Sequence, residues 1–308
     1  MMLEPLVSVV VVTYNSSQFV QETLDSIKEQ TYQNIELIIS DDCSKDDTVK
    51  ICEGWLEENR CRFTNCRILT SLRNTGVVAN CNRGYQASTG KWIKDVAGDD
   101  ALYPEAIEKF IRFTIKNPQA RIIHSRMHMY YNTLLSSNLE HKHLKLSKYL
   151  MNNQFVNPQK QFNLLCLVNE IGAVTVFMQR ALYIDLGGFD EQIPMCEDWP
   201  MWLKTTKQGY PIYFLDDYTS KYRITTFSIM GKENRDYLFK RFYQTENHIY
   251  NKYIKKYARI DTKFFNRYDF YVRLSLEKIG LNKKNYLSKM IYYTLIFPFK
   301  IYYKALYQ

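Results

Sequence analysis

Val7-Ser8-Val9-Val10-Val11-Val12-Thr13 is an almost unbroken run of apolar, mostly β-branched residues. It lacks the alternation of a strand with one wet face, so it predicts a strand buried on both faces of a parallel sheet. Helical spacing follows as far as Gln30, with Ser16 or Ser17 placed to cap that helix. Ile35 to Ser40 is a second buried run, and a helix carrying Thr48, Ile51 and Trp55 starts from Ser44. Arg67 to Thr70 reads as a third strand, Val77 to Ala87 as a third helix and Lys91 to Asp95 as a fourth strand. Pro104 then opens a helix over Glu105 to Asn117, where its missing N–H costs least. Ile122 to Met129 alternates and reads as another strand. This order predicts an α/β fold with a mostly parallel, doubly wound sheet and ligands at the carboxyl ends of the strands.

The pattern weakens over residues 131–170, where only Lys142 to Asn152 has helical character. Ala173 to Gln179 reads as a strand, and Arg180 to Leu186 as a helix stopped by Gly187-Gly188. Trp199 to Gln208 is a further helix and Ile212 to Leu215 a short strand. From Gly231 onward Tyr, Phe and Lys recur at helical spacing.

Charge separates this last stretch from the rest. Residues 231–308 hold 17 Lys and Arg against 6 Asp and Glu, a surplus larger than the net +9 of the whole chain. Such a segment suits nucleic acid or an anionic membrane surface. No run reaches the roughly 18 apolar residues of a spanning helix. The N-terminus lacks a basic n-region and a cleavage site, so no signal peptide is expected. Seven irregularly spaced cysteines predict reduced cytosolic thiols, with neither a disulfide framework nor a zinc site.

Three acidic pairs stand at element boundaries: Asp41-Asp42, Asp99-Asp100 and Glu197-Asp198. In a doubly wound sheet such boundaries converge on one edge, so the pairs can meet around one ligand. Carboxylates together with phosphate oxygens are the ligands that Mg²⁺ and Mn²⁺ prefer. Each pair also has a plainer reading: a helix cap at Asp42 or Asp100, and an acidic first turn at Glu197-Asp198. Likewise Tyr14 can stack on a base or simply pack, and Asn74-Thr75-Gly76 can hold a ligand or only join two elements.

Taken in order, Val7 to Asn15, Asp41 to Thr48, Asn74-Thr75-Gly76, Gly98-Asp99-Asp100, Leu186 to Glu191 with Glu197-Asp198, and Tyr222-Arg223-Ile224 resemble the family 2 inverting glycosyltransferases with the GT-A fold. The resemblance spans residues 5–228. It implies a glycosyltransferase domain over 1–230, with a nucleotide-binding half at 1–130 and an acceptor half at 131–230. A basic, aromatic-rich helical extension then occupies 231–308. It implies Thr13, Tyr14, Asn15, Asp42 and Asn74 at the nucleotide, Asp99 near the ribose, and Asp100 on a divalent metal, Mn or Mg. Asp198 would be the general base with Glu197 as runner-up, and Arg223 would reach the diphosphate or the acceptor. The donor would be a nucleotide-sugar, UDP-linked in the first instance, and the acceptor a saccharide or lipid-linked saccharide. Three positions depart from the family pattern: Ala97 where relatives carry another Asp, Cys43 in place of a glycine, and Thr225 in place of a histidine.

Two rivals remain at this stage, a nucleic-acid-binding protein using the basic tail and a catalytically silent nucleotide-sugar binder. The acidic pairs oppose the first, because they repel phosphates. For the tail, the expected site is the inner face of the cell membrane, bound peripherally from the cytoplasm. Basic residues between Lys232 and Lys304 would attract it, and Phe297, Phe299, Tyr302 and Tyr303 would insert. Removal of Met290 to Gln308 would then spare donor hydrolysis. The alternative is a helix that packs on the domain.

Overall fold

The computed structural model describes residues 4–140, 147–225, 238 and 243–307. Part of the expected helix over Lys142 to Asn152 and the basic positions Lys232, Arg235, Lys240 and Arg241 lie outside the described residues.

Among the described residues nine strands form one sheet: β1 (Val7–Thr13), β2 (Ile35–Asp41), β3 (Asn65–Thr70), β4 (Trp92–Ala97), β5 (Ala101–Leu102), β6 (Ile122–Tyr131), β7 (Leu139–Glu140), β8 (Phe177–Gln179) and β9 (Tyr213–Ile224). Their order is β3-β2-β1-β4-β8-β6-β9-β5, with β7 against β6. The longer pairings, β1 with β2 and β4, β2 with β3, and β6 with β9, are parallel. The short strands β5, β7 and β8 pair antiparallel. Helices α1 (Val20–Lys28), α2 (Thr48–Asn59), α3 (Val77–Ala87) and α4 (Ala106–Lys116) connect the first half.

β1 shows why the apolar run does not alternate. Val7, Val9 and Val11 pack into one core with α1, α2 and α4. Val10 packs into the other, against Val78, Cys81 and Tyr85 of α3. A Cβ at Gly84 would lie 2.4 Å from Val10 Cγ1, so glycine lets α3 rest on the strand.

The acceptor half differs more from expectation. Ala173–Thr175 is a 3₁₀ turn, leaving only Phe177–Gln179 as strand. The strand expected over Ile212 to Leu215 instead continues through Tyr222-Arg223-Ile224. A bulge near Arg126 lets it stay paired with β6, which a short apolar core segment alone does not predict. The remaining helices here are α5 (Lys148–Met151), α6 (Pro158–Leu165), α7 (Arg180–Asp185) and α8 (Asp198–Lys207). Neither Ser16 nor Ser17 caps α1 with its side chain; the Ser16 carbonyl accepts from Phe19 and Val20 instead.

At the C-terminus, α9 (Tyr243–Ile249) runs into a π turn, followed by α10 (Ile260–Lys278), α11 (Tyr286–Leu295) and α12 (Phe297–Tyr307). Ile249, Ile254 and Ala258 are part of the same core as α3, α6 and α8. Among the described residues no helix is long and apolar enough to cross a membrane.

Candidate active site

The carboxyl ends of β1 and β2 form the first wall. Thr13 Oγ1 donates to Asp41 Oδ1 at 2.9 Å, and Ser44 donates to the same carboxylate through its N–H and its hydroxyl. Asn15, in the left-handed region at φ 51°, accepts from Lys45 N and donates to Ser44 Oγ. Tyr14 is left exposed beside this turn. Cys43 also has a positive φ of 66°, which is the conformation that favours glycine at that position.

Asp42 is nearly inaccessible. Its carboxylate accepts from Thr75 N and Oγ1, from Gly76 N at 2.7 Å, and from Arg83 at 3.4 Å. A carboxylate already holding these donors is a loop anchor, so a direct contact with a base would have to displace one of them. Asn74, on the same loop, is exposed and caps the turn by accepting from Gly76 N.

The second wall is Gly98-Asp99-Asp100. A Cβ at Gly98 would come within 2.8 Å of Thr13 Cγ2, so only glycine lets this turn meet the β1 turn. Asp100 is buried: its Oδ1 accepts Arg223 N at 2.8 Å and its carbonyl accepts Thr23 Oγ1. Asp99 is partly open, and among the described residues its carboxylate meets no donor from another residue. Burial raises the pKa of both carboxylates, and the Asp99 charge raises Asp100 further.

Arg223 does not point at this space. Its guanidinium donates to the Asp99 carbonyl, to the Asn132 carbonyl and to Glu22, and it stacks over Phe19. These partners use every nitrogen of the fork and bury the residue. Arg223 thus staples β9, α1 and the Asp99-Asp100 turn together.

The third wall is the start of α8. Asp198 accepts from Asn169 Nδ2 at 2.9 Å and from its neighbour Trp199 N, with Cys196 Sγ at 3.3 Å. Burial pushes its pKa up, the direction a base working near neutrality needs. Burial and then the Asp198 charge push Glu197 up to about 8. Burial raises the pKa of the Tyr222 hydroxyl, and the charges of Asp100, Asp99 and Asp198 add to the rise.

Two acids and a lysine belong here that the motifs did not single out. Asp95 on β4 is raised by burial and also by the nearby Asp198 charge. Lys94 is completely enclosed, donates to the Val174 carbonyl at 2.8 Å, and has its pKa lowered to about 8 by burial. The available signal was a Lys-Asp pair inside an otherwise apolar strand, where unpaired charge is costly. Glu170, next to Asn169, accepts from Ser147 N and from Tyr303 on α12. The last helix thus supports the loop that orients Asp198, and Tyr303 faces inward rather than outward. Tyr302 likewise stacks on Phe265 at 4.2 Å, while Phe297 is exposed.

The family model described as Glycosyl transferase family 2 matches residues 8–179. An uncharacterized glycosyltransferase of Haemophilus influenzae is 27% identical over 302 residues, covering 94% of this chain and 85% of its own length. One from Rickettsia prowazekii is 27% identical over 221 residues, covering 71% of this chain and 64% of its own. Among solved structures, S. aureus TarS 1-349 in complex with UDP-GlcNAc aligns with a TM-score of 0.64 at 18% identity, over 94% of this chain and 79% of that one. The chain spans 43% of a longer TarS chain, with a TM-score of 0.60.

Proposed function

Since the chain belongs to glycosyl transferase family 2, we propose that it moves one sugar from a UDP-sugar to a hydroxyl of a saccharide or lipid-linked saccharide, with inversion. Its glycosyltransferase class rests on the matched family and on relatives of the same description. The observation that carries the finer reading is Asp198, buried at the start of α8 and oriented by Asn169 and Trp199 N.

In this reading the nucleotide lies along the Thr13-Tyr14-Asn15 turn, with Tyr14 as its open face. UDP is favoured because the structural neighbour was solved with UDP-GlcNAc. The acceptor oxygen attacks the anomeric carbon from the side opposite the diphosphate. As that bond forms, the bond to the diphosphate oxygen breaks and the acceptor proton passes to Asp198. One displacement inverts the centre. Glu197, which holds its own proton up to about pH 8, is less suited to accept another.

The residues fit a divalent metal, Mn or Mg. Asp99 and Asp100 each have a pKa raised by burial, and a cation would relieve the excess of buried negative charge. Among the described residues no cluster of three or more ligating side chains exists, so Asp99 and Asp100 would share the ion with diphosphate oxygens. When bound, such an ion neutralises charge that grows on the leaving diphosphate. Asp99, with the more open carboxylate, is the better placed of the two, whereas Asp100 already holds Arg223 N.

The site of action would be the cytoplasmic face of the cell membrane, where a lipid-linked acceptor is presented. Turnover of UDP-sugars, followed with Mn²⁺ or Mg²⁺ and by the anomeric configuration of the product, tests the reading. A retained configuration, or full turnover by Asp198→Asn, would overturn it.

A further inference from the structure

The C-terminal helices expose many large aliphatic and aromatic side chains close together, the kind of surface that marks an interaction site. On α10, Ile260, Phe264 and Tyr271 lie on one helical stripe, with Ile279 at its C-cap beside them, and Ile260 is 86% and Ile279 67% exposed. With Ile291 and Leu295 of α11 they line an open groove of about 880 Å³. A second stripe continues over the neighbouring elements: Tyr286, Met290 and Tyr293 of α11, then Phe297 and Ile301 of α12, all exposed. α11 is thus apolar on two faces, an arrangement that in water calls for a partner.

The charge around this surface selects the partner. Between Ile260 and Tyr307 the sequence has nine Lys and Arg and three Asp and Glu. Asp261 pairs with Arg259, Asp269 with Arg273, and Glu277 accepts from Asn282. Lys278, Lys283, Lys289, Lys300 and Lys304 are exposed. A second copy docking by the same face would set one positive surface against another, because a two-fold interface is self-complementary. Nucleic acid would accept the lysines but leave Ile260 and Ile279 with nothing to contact.

We infer that the α10–α11–α12 face is a docking surface for an anionic lipid bilayer, with Ile260, Phe264 and Ile279 reaching the acyl chains and the lysines at the headgroups. The inference rests on the membrane part of the reading above and identifies the surface responsible. It enlarges the inserting set to α10 and removes Tyr302 and Tyr303 from it. The same helix that turns Phe297 and Ile301 outward sends Tyr303 inward to Glu170, beside the loop that orients Asp198. Docking therefore holds the acceptor side of the site close to the bilayer.

Co-sedimentation of the full chain with vesicles tests this. The vesicles hold phosphatidylglycerol and phosphatidylcholine in equal amounts, or phosphatidylcholine alone. The wild type should bind the anionic vesicles selectively. The double variant Phe264→Glu/Ile279→Glu, and separately the triple variant Lys278→Glu/Lys283→Glu/Lys289→Glu, should each bind at least about tenfold more weakly. All these side chains are exposed, so the melting temperature and UDP-sugar turnover in solution should stay at wild-type values. Wild-type binding by both variants would move docking to another surface and overturn the inference while leaving the membrane reading intact. No binding by the wild type would remove the membrane reading too, while turnover in solution would still stand. A wild-type dimer in sedimentation velocity that the variants dissociate, without vesicle binding, would assign the face to a second copy instead.

Discussion

The loops at the sheet edge and the three C-terminal helices treat charge in opposite ways. At the edge, Asp41, Asp42, Asp100 and Arg223 are buried and each is met by internal donors or acceptors. In α10 to α12 the acids are paired with Arg or Asn while lysines and large apolar residues face out. The first arrangement makes a hydrogen-bonded frame around the acidic pairs. The second leaves a broad apolar and basic surface facing outward. A change at the edge should therefore damage turnover or stability, and a change on the outer helix faces should damage neither.

The largest expected effect sharpens the catalytic side of this contrast. Asp198→Asn should lower the turnover of a UDP-sugar with acceptor by about 10³-fold, the usual scale for losing a positioned base. Its melting temperature should barely move, because Asn can still accept from Trp199 N. An unchanged rate would place the base elsewhere.

Arg223→Ala tests whether the frame is structural. Removing a buried guanidinium leaves two carbonyls without their donors, while Glu22 is half exposed and can turn to water, so the cost should be about 2–4 kcal/mol of stability by chemical denaturation. If Arg223 instead touched the diphosphate, stability would hold and the KM for the donor would rise.

His124 on β6 gives a pH signature for the same frame. It is buried, its Nε2–H donates to the Leu150 carbonyl at 2.8 Å, and its pKa is lowered from 6.5 to about 4 by burial. The folded state therefore binds this proton less readily than the unfolded chain. Its contribution is complete above pH 6.5 and is lost as pH falls towards 4. The loss should approach roughly 3 kcal/mol, less whatever the acids contribute. Replacing His124 with Gln should flatten the stability curve in that window; an unaltered slope would show that His124 is not the group responsible.

The smallest effect lies where the two regions touch. Tyr303→Phe removes the hydroxyl that Glu170 accepts and should cost about 1–2 kcal/mol. Donor hydrolysis should fall a few-fold with vesicle binding intact. Removal of Met290 to Gln308 should consequently weaken both binding and hydrolysis, against the expectation from sequence that hydrolysis would be spared. Equal hydrolysis by Tyr303→Phe and the wild type would restore a clean division between the two regions.

Much of this was legible in the chain before any coordinates. The β-branched run at Val7 to Thr13 is buried on both sides because no alternation existed to leave one side wet. Gly98-Asp99-Asp100 could be picked out because a small residue before adjacent acids suits a crowded strand end. Residues 131–170 were opaque because their irregular backbone is held by distant partners, such as Gln161 bonding Tyr149 and Ile212 carbonyls, and such bonds leave no periodic trace.

Local sequence determined the elements of the first half, the acidic pairs and the basic, aromatic tail, since each depends on residue type and spacing along a few turns. Tertiary structure alone decided which of those groups are open. Asp42 and Arg223 read as ligand contacts from their motifs, and in the fold both also bond segments 33 and 124 residues away. Tyr303 reads as a membrane anchor, yet it meets Glu170 across 133 residues of chain. A motif fixes what a side chain can bind. Only the packing of distant segments fixes what reaches it first, because a buried polar group takes the nearest partner rather than remain unsatisfied.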